Sequence, residues 1–192
     1  MTMTAAAQQQ RRQWHIWLRG AAAMAVVLAL SNYLVRFPLN EWLTLAAFTY
    51  PAAFLITDMV NRTAGAKVAR RVVYAGFVFG APLSFAFAYL APPDDGGGLR
   101  AAARIAASSG AAFVCAQLLD VAVFDKLRRA VWWRAPLFSS LPASAADTLL
   151  FFTLAFVGTG VPWHTLALGD FAAKVFMVLA LLPPYRLLTR AL

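Results

Sequence analysis

Apolar runs long enough to cross a membrane recur six times along the chain, at about 20–37, 42–60, 72–90, 101–124, 144–161 and 165–182. A bilayer core takes about 20 mostly apolar residues per helix. The pattern therefore predicts an all-α integral membrane protein, with residues 20–192 forming a single bundle of six transmembrane helices. Residues 1–19 read as a cytoplasmic amino-terminal segment, in which Arg11, Arg12 and Arg19 stand among Trp14, His15 and Trp17, a mixture suited to lipid headgroups. The run Pro92-Pro93-Asp94-Asp95-Gly96-Gly97-Gly98 predicts a turn after the third span, Gly158, Gly160 and Pro162 end the fifth, and Pro183-Pro184 stop the sixth. Between the fourth and fifth spans, Asp125 to Ala143 reads as a surface-lying connection, with Trp132-Trp133 among basic residues and prolines at 136 and 142.

The apolar pattern is interrupted in a few places, and those places carry the candidate chemistry. The second span holds Thr49, Tyr50, Pro51, Thr57, Asp58, Asn61 and Arg62. Proline removes a backbone donor and disfavours helical geometry in the residue before it, so a kink or break is expected beside Tyr50. A charge at bilayer depth costs roughly 2.5–3.5 kcal/mol on insertion scales, which drives it toward a bundle interior, a partner or a water-filled cavity. Gln117 and Asp120, three residues apart, share a face of the fourth span. Asp147 follows Ser144 by three residues, a spacing that suits a helix cap as well as a binding role. Asp58 and Arg62, like Asp170 and Lys174, are four apart and able to pair, whereas Asp120 has no cation at helical spacing.

Composition narrows the reading. With 61% of 192 residues hydrophobic and 13% charged, six spans leave no room for a soluble catalytic domain. The formal charge of +9 does not point to nucleic acid, because the basic residues fall between apolar runs rather than on one solvated face. They serve instead as topology signals: Arg62, Lys67, Arg70, Arg71, Lys126, Arg128, Arg129, Arg134, Arg186 and Arg190 join the amino-terminal arginines on one side, and Arg36, Arg100 and Arg104 lie on the other. Excess Lys and Arg mark the cytoplasmic side, which predicts both termini there. Cys115 reads as a small buried hydrophobe, and Ala21, Ala25 and Ala29 give the first span a small-residue face for internal packing, a homodimer or an energising membrane partner.

An enzyme is not indicated: no cysteine or histidine pair has metal-ligand spacing, no hydroxyl has an identifiable base, and no phosphate loop appears, so no cofactor is expected. Three readings remain from the residues: a solute transporter, a substrate-binding subunit of a multi-component importer, and a non-transporting membrane scaffold. In the first, a proton on Asp120 and facilitated diffusion are equally compatible with the sequence.

The residues also resemble a known family. Thr49-Tyr50-Pro51 with Thr57-Asp58 and Asn61-Arg62, then Gln117 to Val121 with Phe124, Leu127-Arg128 and Trp132-Trp133, then Ser144, Asp147 to Phe152 and Ala155-Phe156, and finally Lys174 and Pro183-Pro184-Tyr185, are similar to the queuosine precursor transporter (VUT) family. The resemblance implies import of 7-cyano-7-deazaguanine or a related 7-deazaguanine base across the bacterial inner membrane, for transfer RNA modification. It also implies a six-helix fold like that of energy-coupling-factor S components. A guanine-like base offers a ring N–H and an amine as adjacent donors, which a carboxylate accepts together, and a carbonyl that needs a donor. The expected site therefore comprises Asp120 or Asp58 for the donor edge, Gln117 or Asn61 for acceptor groups, and Tyr50, Phe54, Phe151 or Phe152 for stacking, with Thr49, Asp147 and Lys174 nearby.

Overall fold

A computed structural model describes residues 5–90 and 98–190. The predicted turn at 92–98 lies outside the described residues except for Gly98. Among the described residues seven helices come in order: α1 (Ala5–Leu34), α2 (Ala46–Thr49), α3 (Ala52–Ala64), α4 (Ala66–Tyr89), α5 (Leu99–Leu127), α6 (Arg134–Phe156) and α7 (Trp163–Arg190). Five of them, α1, α4, α5, α6 and α7, are long and apolar enough to cross a membrane. Large side chains such as Val26, Leu30, Val78, Phe79, Leu149, Leu154, Phe176 and Leu179 are exposed along them. Apolar exposure on that scale is foreign to a water-soluble surface and expected of one that faces lipid. The protein is multi-pass.

The second predicted span is the exception to continuity. It is divided into α2 and α3 at Tyr50-Pro51, and the 13 residues of α3 rise about 20 Å, short of a bilayer core. A single residue, Gly65, turns α3 into α4 with φ of 87°, a conformation that favours glycine. α3 is wedged among α1, α4 and α5, where Ala53 and Val60 join Met24, Leu28, Val68, Ala69, Val72, Val73, Phe113 and Val121 in the main core. Its packing on α6 and α7 is far lighter.

Two other boundaries move. α6 begins at Arg134 instead of Ser144, so the predicted surface connection is mostly helix and Ser144 is no cap. Pro136 sits in the first turn, where its missing N–H costs nothing, and Pro142 is accommodated inside the helix. α7 likewise runs through Pro183 and Pro184 to Arg190, as membrane helices permit when neighbours accommodate the freed carbonyls. Cys115 is exposed on the outer face of α5, contrary to its expected burial. The buried stripe of α1 is Gly20, Met24, Leu28 and Ser31, one position away from Ala21, Ala25 and Ala29, which are half-buried.

The connection from α1 to α2 closes on itself through a bridge between Pro38 and Thr44 and lies against α7. A Cβ built on Gly169 would overlap the main-chain carbonyl of Trp42. Gly169→Ala must displace backbone, so it is expected to lower stability by about 1–3 kcal/mol, seen as a reduced melting temperature of the detergent-purified protein.

Candidate functional site

Helix spacing brings two groups of polar side chains into the bundle. On α3, Phe54, Thr57, Asp58 and Asn61 all face inward, and on α5 Gln117 and Asp120 do the same. The Thr57 hydroxyl donates to Gln117 Oε1 at 2.8 Å, and Asn61 Nδ2 donates to the Val121 carbonyl at 3.0 Å, which fixes α3 against α5. From α6, the Ser140 hydroxyl donates to Asp120 Oδ1 at 3.0 Å. Asp58 lines one cleft with Ser140, the residue whose hydroxyl is bonded to Asp120. Arg62 does not pair with Asp58, because its guanidinium donates to the Arg128 carbonyl at the end of α5.

This first group is unusual in what it leaves open. Asp58 Oδ1, Asn61 Oδ1, Gln117 Nε2, Asp120 Oδ2 and Ser144 Oγ are buried without a hydrogen-bond partner. An unsatisfied buried polar atom costs about 1–3 kcal/mol. Five such atoms in one bundle, four of them on the facing sides of α3 and α5, make this group the candidate site for a polar ligand. Beside them runs a cleft between α3, α6 and α7, lined by Pro51, Phe54, Asp58, Ser140, Val178 and Tyr185 among others. Its free interior is about 20 Å³, room for one water molecule. A ring-sized solute enters only when these helices part.

The second group is closed. Lys174 Nζ reaches Asp147 Oδ2 at 2.7 Å, Asp170 Oδ2 at 2.5 Å and Thr148 Oγ1 at 3.1 Å, and the Thr148 hydroxyl donates to Asp170 at 2.7 Å. The ammonium also lies 5.6 Å from the centre of the Tyr50 ring, a cation–π distance. Asp147 lies seven positions past Ser140 on α6, so the two groups stand about 10 Å apart along the helix.

Of the residues expected at a site, Asp58, Asn61, Gln117, Asp120 and Phe54 come together in the first group, and Tyr50, Asp147 and Lys174 in the second. Thr49 lies apart, its hydroxyl 2.8 Å from Ser31 of α1. Phe151 and Phe152 pack with Phe156 near the end of α6 and do not line the cleft. Sequence reasoning missed Ser140 and Tyr185 and underrated Thr57. Pro136 and Pro142 made the serines look like part of a loop; the available signal was that Pro136 fits a first turn. Among the described residues no cluster of His, Cys, Asp or Glu is suited to a metal.

A multi-pass helical membrane protein with a cluster of polar side chains buried among its helices has the architecture expected of a solute carrier. More particularly, residues 44–188 match the family model described as "Putative vitamin uptake transporter", and the chain belongs to that family. It is 34% identical to the queuosine precursor transporter of Escherichia coli, over 99% of this chain and 93% of that protein. It is 32% identical to a protein of Haemophilus influenzae named as a probable queuosine precursor transporter, over 92% and 86% of the two chains. No solved structure is significantly similar. The protein is a membrane transporter and not an enzyme.

The closed group gives a direct stability test. Lys174→Met would leave the buried Asp147 and the half-buried Asp170 without their cation, a loss of about 3–5 kcal/mol. Folded yield and melting temperature in detergent should fall sharply for Lys174→Met, and partly recover when Asp147→Asn is added.

Proposed function

We propose that this protein imports a queuosine precursor, a 7-deazaguanine base such as 7-cyano-7-deazaguanine, across the bacterial inner membrane, and that the base binds between α3 and α5. The observation that carries the reading is the set of open hydrogen-bonding atoms at Asp120, Asn61 and Gln117. The base offers donors side by side and a carbonyl acceptor on one edge. Asp120 takes the donor edge, Asn61 Oδ1 accepts a further N–H, and Gln117, whose Oε1 already accepts from the Thr57 hydroxyl, donates through Nε2 to the base carbonyl. Phe54, buried against Ala116 and Ala143, supplies an apolar wall for the ring face. The names of the two relatives support the substrate class, and their bacterial sources support the membrane.

In this reading α2 and α3 together make the sixth crossing, and the excess of basic residues at the Gly65 end of the bundle supports a cytoplasmic position for both termini. Light packing of α3 on α6 and α7 makes that seam the one that parts to admit and release the base. The ion group of α6 and α7 keeps those two helices moving as one body.

The test is uptake of labelled 7-cyano-7-deazaguanine into liposomes holding only the purified protein, with binding measured in parallel. Wild type should show saturable uptake, and Asp120→Asn, which loses charge-assisted bonds worth about 1.5–3 kcal/mol, should bind about 10- to 150-fold more weakly. Binding without uptake would make the protein a subunit that awaits an energising partner. Neither binding nor uptake would remove the substrate.

A further inference from the structure

We infer that the Ser144 hydroxyl is a substrate contact that donates, together with Gln117 Nε2, to the carbonyl oxygen of the base, and that this pair of donors selects a lactam carbonyl. The inference rests on the base-binding reading above and adds α6 to a site so far drawn on α3 and α5.

Ser144 is fully buried and its Oγ has no partner. A hydroxyl inside a helix commonly donates to a carbonyl three or four residues back. Others in the bundle do so: Ser108 donates to the Arg104 carbonyl at 2.7 Å, Thr63 to that of Met59 at 2.7 Å and Thr153 to that of Leu149 at 2.6 Å. Ser144 makes no such bond, so its hydroxyl is open to whatever enters beside it.

The register of α5 against α6 says what that is. Ser140 bonds Asp120, and Ala143 packs with Ala116 and Phe54. Each step forward on α6 is thus a step back on α5, and Ser144 comes level with Ala116 and Gln117, one turn from the bond between Ser140 and Asp120. Phe54, the apolar wall of the proposed site, belongs to the same level. One turn further along α6, Thr148 is already bonded to Asp170 and Lys174. Ser144 therefore stands between the open group and the closed one, bonded to neither.

The five open atoms divide unevenly by chemistry. Asp58 Oδ1, Asn61 Oδ1 and Asp120 Oδ2 are carboxyl or amide oxygens, whereas Gln117 Nε2 and the Ser144 hydroxyl are donors. A lactam carbonyl has two lone pairs and accepts two hydrogen bonds. Two donors at one level of the bundle match that one oxygen, and Asp120 and Asn61 keep the N–H edge. A base without the carbonyl leaves both buried donors unpaired, the situation in which a polar site discriminates most strongly.

The experiment measures binding of 7-cyano-7-deazaguanine, and of its thione analogue, to wild type, Ser144→Ala and Ser144→Cys in detergent, with ligand-free melting temperatures in parallel. In the thione, sulfur replaces the carbonyl oxygen and the N–H edge is unchanged. Ser144→Ala should bind the base about 2- to 12-fold more weakly, the value of one hydrogen bond. Ser144→Cys, which fills the space and is only a weak donor, should do likewise, and the wild-type preference for carbonyl over thione should narrow in both. The ligand-free melting temperature of Ser144→Ala should hold or rise, because a buried group without a partner is removed. Wild-type affinity or an undiminished carbonyl preference in Ser144→Ala overturns the contact and leaves the base reading standing. A lower ligand-free melting temperature shows that the hydroxyl has a partner within the protein and overturns the contact as well. If the wild type binds neither compound, the base reading itself fails and this contact goes with it.

Discussion

A membrane interior offers polar atoms nothing to bond with, so every polar group in this bundle must find its partner in the protein or in a ligand. Lys174 shows the constraint fully met. Its ammonium is enclosed by two carboxylates, one hydroxyl and an aromatic ring, contributed by α6, α7 and the break before α3. Facing α3 and α5 show the constraint left unmet at several atoms in one neighbourhood. The contrast between a saturated polar group and an open one, about 10 Å apart along α6, is the clearest division of labour in the fold. One holds helices together; the other has hydrogen-bonding capacity to spare.

The open group is positioned by ordinary means. Thr57 to Gln117 and Asn61 to the Val121 main chain lock α3 onto α5 at successive turns, and each of those side chains uses only part of its hydrogen-bonding capacity in doing so. The remainder, Asn61 Oδ1 and Gln117 Nε2, stays without a partner. Beyond the site, Arg104 of α5 donates to the carbonyls of Leu154 and Val157 at the end of α6, and Arg62 closes the end of α5. These arginines do more than mark topology: each satisfies carbonyls that a helix terminus leaves without partners.

Much of this was legible in the sequence, and the failures have a common cause. Asp58, Asn61, Gln117 and Asp120 stood out because polar residues in apolar runs are expensive, and helical spacing alone put them on inward faces. The pairing of Asp170 with Lys174 came from their spacing, but the arrival of Asp147 did not, since only tertiary packing brings α6 alongside α7. The predicted start at Ser144 was wrong because prolines were read by the rules of water-soluble helices, and Pro142, Pro183 and Pro184 all sit inside helices here. Thr49 and the Phe151-Phe152 pair were drawn to the site by motif resemblance, and nothing in a motif says which way a side chain points. Cys115 was assigned to the core because apolar surroundings in sequence were taken for apolar protein, when lipid fulfils the same role.

The short third helix also bears on how the chain enters its membrane. Thirteen residues carrying Thr57, Asp58, Asn61 and Arg62, with a proline at the head, make a poor candidate for insertion alone. Directly after them come a one-residue hinge and the 24 residues of α4, apolar and long. The two helices are therefore best understood as a hairpin that partitions into lipid as a unit, with α4 supplying the hydrophobic drive that α3 lacks. The most polar helix of the bundle is thus carried into the bilayer by a neighbour whose core-facing side is apolar.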